Sequence, residues 1–174
     1  MTITLQKRIG YFWLVLSVIN FVNYVYQTIQ MQGAFMNLGN NPLKVPYFKQ
    51  VYPSYLVELI FPVSNQNLYI LYKIENYSGL ALTLFSLLIP LFLIFNLKYS
   101  QRIAQVFLIV FILLSVFAIF IKATLLLPEE NKFSQYEIDI NKYVMKCIYY
   151  YSAMSFIAIS MLVGLFFCKQ KEKI

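Results

Sequence analysis

The chain has 174 residues, 60% of them hydrophobic and only 12% charged, with a formal net charge of +7 and no histidine. Soluble domains carry about 25% charged residues, so an ordinary soluble fold is excluded, and the missing imidazole removes the commonest general base and metal ligand. The length suits one domain, 1–174, without a separate soluble module.

Four apolar runs, 9–29, 79–97, 103–127 and 143–168, organise the chain, and none contains an acidic residue. Crossing a hydrocarbon core of about 30 Å takes roughly 20 helical residues. The runs therefore predict an all-α integral membrane protein with four transmembrane helices and outer loops at 30–78 and 128–142.

The first run follows Lys7 and Arg8, a beginning shared by signal peptides and membrane helices. It is too long for a signal peptide, and Asn20 and Asn23 stand where a small-residue cleavage site belongs, so a retained helix is expected. Ser17, Asn20, Asn23, Gln27 and Gln30 recur every three or four residues and share one face. Buried amides need partners, so this polar stripe faces protein or water rather than lipid. Bonding between helices is its common use; the wall of an outward-facing cavity or pore is the more specific one.

In the segment that follows, Pro42, Pro46, Pro53 and Pro62 break any long helix. Ser54 is placed to cap a short helix between Pro53 and Pro62. Residues 68–74 alternate weakly, which suits either a short strand or a helical extension of the second span. The segment is too apolar for a free linker, so a small cap over the outer face is expected.

In the second run Gly79, Thr83, Ser86 and Pro90 make a face of small residues for close helix packing, with a kink at the proline. Lys98 and Arg102 crowd the tight turn into the third run. Lys122 and Lys146 are the only charges inside the apolar runs. Both are placed near the outer interface, where a lysine stem can snorkel; a cationic ring in an oligomer is the alternative use. Ser134 and Glu137 match a capping box, which starts the last helix near Gln135 and carries it to about Cys168. Ser160 and Gly164 form a small-xxx-small pair for packing in that helix.

Orientation follows from the basic residues. Lys7, Arg8, Lys98, Arg102, Lys169, Lys171 and Lys173 all fall on one side if the helices alternate, and that nearly acid-free side is expected to face the cytoplasm. Both termini are then inside. The rim suits anionic lipid or an acidic cytosolic protein, and no nucleic-acid partner is needed to explain the charge.

Catalytic machinery is not evident. Cys147 and Cys168 lie near opposite ends of one helix, too far apart to pair within a chain. No acidic residue is expected in a span, no serine has a histidine partner, and no cofactor or metal is expected. Ile, Phe, Tyr, Asn and Lys are abundant, a bias of low-GC bacterial genes. The reading is a non-enzymatic, homo-oligomeric (dimer or tetramer) sensor or anchor subunit of a bacterial inner membrane. It detects an envelope change and holds a cytosolic partner, with antiphage defence as one setting. The alternatives are a channel or membrane-perturbing effector, and an immunity protein against a membrane-acting toxin.

Overall fold

The computed structural model describes residues 4–37, 57, 66–134 and 139–168. The described residues are helical, with no strand among them. Helix α1 spans Leu5–Asn37, α2 Gln66–Ile94 and α3 Ser100–Leu126. A 3₁₀ turn over Leu127–Glu129 leads into the short α4, Glu130–Ser134, and α5 spans Ile140–Phe166. Four of these helices are long and apolar enough to cross a membrane. Their outward faces carry exposed Val15, Ile19, Leu88, Leu113, Val116, Phe156 and others. So much contiguous apolar surface is unfavourable in water and suits lipid. The chain is a multi-pass membrane protein, with four long apolar helices among the described residues.

Two helix starts differ from the sequence expectation. The apolar run begins at Gly79, yet α2 begins at Gln66. Its 29 residues reach about 43 Å at 1.5 Å per residue, well beyond the hydrocarbon core. Residues 68–74 are thus a helical extension and not a strand. The extension pays for itself in packing: Tyr72 is buried, with Leu68, Tyr69 and Leu71 against the same cluster. The last helix begins at Ile140, and its cap is Asp139, whose Oδ1 accepts from the Lys142 amide at 2.8 Å. Ser134 instead ends α4 and donates to the Asn131 carbonyl. Glu137, the other half of the expected capping box, lies outside the described residues. Aspartate wins here because a carboxylate at an N-cap satisfies an orphan amide and also meets the positive end of the helix dipole.

The long helices pack in sequence order, α1 on α2, α2 on α3 and α3 on α5, and α1 returns to touch α5. The link between α2 and α3 is a Schellman turn. Asn96 takes a left-handed conformation (φ 53°), its amide donates to the Leu93 carbonyl, and the Leu97 amide donates to that of Phe92. Two glutamines then tie the helix ends together. Gln6 Nε2 lies 3.3 Å from the Leu93 carbonyl, Asn96 Oδ1 and Ser100 Oγ. Gln101 Nε2 donates to the Leu165 and Cys168 carbonyls. The starts of α1 and α3 and the ends of α2 and α5 therefore lie together, bringing Lys7, Arg8, Lys98 and Arg102 to one end of the bundle. This is called the basic end below.

Two apolar cores hold the bundle. One, toward the basic end, contains Trp13, Ile89, Leu93, Ala104, Leu108, Ala158, Met161 and Leu165. The other, at the far end, contains Tyr72, Ile121, Leu125, Leu126, Ile140 and Val144 together with Val57. Val57 is fully buried, so the segment between α1 and α2 contributes to the far core. The remainder of the expected outer cap lies outside the described residues.

Glycine use separates contact from open space. A Cβ on Gly10 would stand 2.9 Å from Ile94 Cγ1 and 3.2 Å from both Leu93 Cβ and the Pro90 carbonyl oxygen, so α1 approaches α2 closely only at a glycine. A Cβ on Gly79 meets nothing within 4 Å. Gly10→Ala should lower the melting temperature in mild detergent, since overpacking costs about 1–3 kcal/mol. Gly79→Ala should leave it unchanged or raise it, by up to about 1 kcal/mol of helix propensity. Paired thermal melts check the contrast.

Candidate functional site

The far half of the bundle contains a buried ion pair. Lys122 Nζ on α3 lies 3.0 Å from Glu75 Oε2 on α2, with both side chains buried (6% and 5% exposed, respectively). The second carboxylate oxygen, Oε1, accepts from the Tyr151 hydroxyl of α5 at 3.1 Å. Lys122 also stands over the Tyr72 ring, 5.3 Å from its centroid, and quadrupolar attraction to the ring offsets part of its desolvation. Ser78 Oγ donates back to the Glu75 carbonyl at 2.8 Å. Glu75 is therefore a junction of three helices.

Depth explains how these residues meet. Lys122 is 20 residues from Arg102 along α3, and Glu75 is 19 from Ile94 along α2. At 1.5 Å per residue both stand about 30 Å from the basic end. Lys122 thus has the depth expected of an interfacial lysine, but its side chain turns inward onto a carboxylate and does not snorkel. Lys146 is exposed. Glu75 precedes the apolar run and is missed by hydropathy, which begins the expected span at Gly79, four residues after it. Two signals point to it. Tyr72, Glu75 and Gly79 follow helical spacing, and a lysine in a membrane helix calls for a counter-charge at its own depth.

Beneath the pair, between the two cores, lies a cavity of about 790 Å³ bounded by all four long helices. Glu75, Lys122 and Tyr151 form part of its wall. Ser17, Asn20 and Asn23 line it from α1, and Gly79, Thr83 and Ser86 from α2. Ser17 is buried, Asn20 half-buried and Asn23 exposed. Thr83 Oγ1 donates to the Gly79 carbonyl and Ser86 Oγ to the Thr83 carbonyl, so these hydroxyls are satisfied within their helix while facing the hollow. Tyr143, Lys146, Cys147 and Tyr150 line it from α5. Among the described residues, no buried side-chain nitrogen or oxygen lacks a hydrogen-bond partner.

Several residues expected to share a role are separated. Gly79, Thr83 and Ser86 border the cavity, whereas Pro90 is buried beside the close approach of α1. Gly164 also makes a close contact, since a Cβ there would lie 3.0 Å from Ile9 Cδ1. Ser160 points outward and donates to the Phe156 carbonyl. The Ser160–Gly164 pair is therefore not a single contact face. Gln27 and Gln30 lie on the described backbone of α1, but their side chains are outside the described residues, as are Lys169, Lys171 and Lys173. Gly10, Gln6 and Gln101 carry contacts that sequence reasoning did not single out.

Chemically, the cavity presents an ion pair, amides and hydroxyls inside an otherwise apolar membrane domain. Among the described residues no group of three or more Cys, Asp, Glu or His side chains could hold a metal ion. Cys147, on the cavity wall, and Cys168, beyond the basic end of α5, are both free thiols. Partial burial raises the Cys168 pKa. No family model, curated protein or solved structure matches the chain.

Breaking one partner of a buried pair strands the other charge, at about 3–5 kcal/mol, whereas removing both is far milder. Lys122→Met and Glu75→Leu should each lower thermal stability strongly, and the double variant should recover most of the loss. Tyr151→Phe should cost about 1.5–3 kcal/mol, as a bond to a charged group does. A double-mutant cycle in detergent measures the coupling; strictly additive losses would show that the pair contributes no coupling.

Proposed function

We propose that the chain is a non-enzymatic sensor or anchor subunit of a bacterial inner membrane, and that the cavity is its sensing element. The observation that carries this reading is the Glu75–Lys122–Tyr151 junction on the cavity wall. Charged residues inside membrane helices are costly and mark functional positions by default. Here they join α2, α3 and α5 where a small molecule or water entering the cavity would compete for the same hydrogen bonds. A ligand that separates the pair changes the contact among three helices, and rigid helices carry that change to the basic end.

The basic end is assigned to the cytoplasm by its excess of Lys and Arg, which makes both termini cytoplasmic and opens the sensing half to the outside. Lys7, Arg8, Lys98 and Arg102, together with Lys169, Lys171 and Lys173, offer an anionic leaflet or an acidic cytosolic protein a charged surface. Self-association as a homo-oligomer belongs to the same proposal, and antiphage defence is one setting that such a sensor suits.

A conducting path is the second reading, and the amides, hydroxyls and ion pair on the cavity wall favour it. Toward the basic end, however, the layer of Trp13, Leu93, Leu108 and Leu165 is buried and apolar. Conduction requires that layer to part, whereas sensing requires only that the cavity be occupied.

The native cysteines test orientation and access. In intact cells, an impermeant thiol reagent should label Cys147 through a water-filled outer cavity and spare Cys168. After lysis Cys168 should also react, and faster as pH rises, because burial holds its thiol protonated. Labelling of Cys168 but not Cys147 in intact cells would reverse the orientation.

Co-purification in mild detergent tests the anchor role. A cytosolic protein should be recovered with the wild type. Changing Lys169, Lys171 and Lys173 together to Gln should reduce that recovery while leaving insertion and oligomer mass intact. Full recovery at high salt with the triple variant would remove the anchor reading.

A further inference from the structure

A second hollow lies on the outside of the bundle. It is a groove of about 600 Å³ between α2 and α3, bounded by Ala81, Phe85, Ile103, Val106 and Val110, among others, with Arg102 at one end. We propose that this groove is a binding site for an anionic phospholipid of the leaflet at the basic end, with one acyl chain between α2 and α3 and the phosphate on Arg102.

Three observations converge on that occupant. The first is length. From Arg102 to Leu114, the groove follows α3 for 12 residues, about 18 Å. One leaflet contributes about 15 Å of hydrocarbon, so along α3 the groove runs from the headgroup level to about the bilayer midplane, the reach of one acyl chain, and its α2 wall continues to Ser78. The second is chemistry. The groove walls are apolar, as an acyl chain requires, and the cation stands only where a headgroup would lie. The third is charge. Arg102 is exposed, and among the described residues no acidic group pairs with its guanidinium. It sits in the first turn of α3, whose N-cap Tyr99 supplies no side-chain cap, so the positive end of the helix dipole adds to the arginine's field. A guanidinium binds phosphate through two parallel N–H bonds.

The site is separate from the central cavity in composition but shares a wall with it. Ser78, Leu82, Phe107 and Leu114 border both hollows. A bound chain therefore packs against the back of the cavity wall. Whether or not the cavity is a sensing element, the lipid assignment stands on the groove alone.

The test is native mass spectrometry of the full chain released from nanodiscs containing equal phosphatidylglycerol and phosphatidylcholine. The wild type should retain one phosphatidylglycerol in preference to phosphatidylcholine by about fivefold, the ratio that one basic residue contributes near an anionic surface. Arg102→Gln should remove the preference. Val106→Trp, which fills the groove, should reduce retention of both lipids. Lys98→Gln, on the same turn but outside the groove wall, should leave the preference intact. An equal loss with Lys98→Gln would show a diffuse rim effect and overturn the site, as would no retained lipid or a preference that survives Arg102→Gln. A cysteine at Val106 that forms a disulfide between two copies in the membrane would show that a second protein chain covers the groove, and would also overturn it.

Discussion

A carboxylate and an ammonium buried together in a membrane domain constrain everything around them. Neither is tolerable alone in a medium of low dielectric constant, so Glu75 and Lys122 have to reach the same depth on adjacent helices. This requires α2 to extend beyond its apolar run at least to Glu75, and the helix begins at Gln66. It also requires a third group for the remaining carboxylate oxygen, which α5 supplies through Tyr151. The far half of the bundle is thus organised by electrostatics, with Tyr72 serving both as core residue and as a platform for the cation.

The near half is organised differently. Close packing at Gly10, an apolar core around Leu93, Leu108 and Leu165, and glutamine side chains bonded to helix-end carbonyls hold it together. The Leu93 and Leu165 carbonyls already accept from the Asn96 and Cys168 amides at the helix ends, and Gln6 and Gln101 add a bond from a neighbouring helix to each. Between a packed end and an ion-paired end lies a cavity whose largely apolar wall carries several polar groups. The bundle is accordingly asymmetric along its axis, with a buried ion pair at one end and a cluster of exposed basic residues at the other.

The sensor-and-anchor proposal rests on that division. The cavity wall is built from all four long helices, so occupancy at any point on it bears on several helix contacts at once. Groups that share a wall can be coupled without a dedicated pathway, but coupling requires that the ligand bind two arrangements of the helices with different affinity. Separating the ion pair would leave two buried charges unpaired, at a cost of several kcal/mol. The external groove adds a lipid-facing surface to the same wall.

Hydropathy and charge in the sequence determined the number of long helices, their alternation and the gathering of Lys7, Arg8, Lys98 and Arg102 at one end. The reason is that a 30 Å apolar solvent imposes length on any span. The stripe of Ser17, Asn20 and Asn23 was also legible, because polar groups at helical spacing must share a face. Only the tertiary structure decided that this face borders a cavity, that Asp139 rather than Ser134 caps the last helix, and that Lys122 turns inward. Those outcomes depend on which side chains three separate helices bring to one depth. Glu75, lying outside every apolar run, acquires its role only when α3 and α5 surround it.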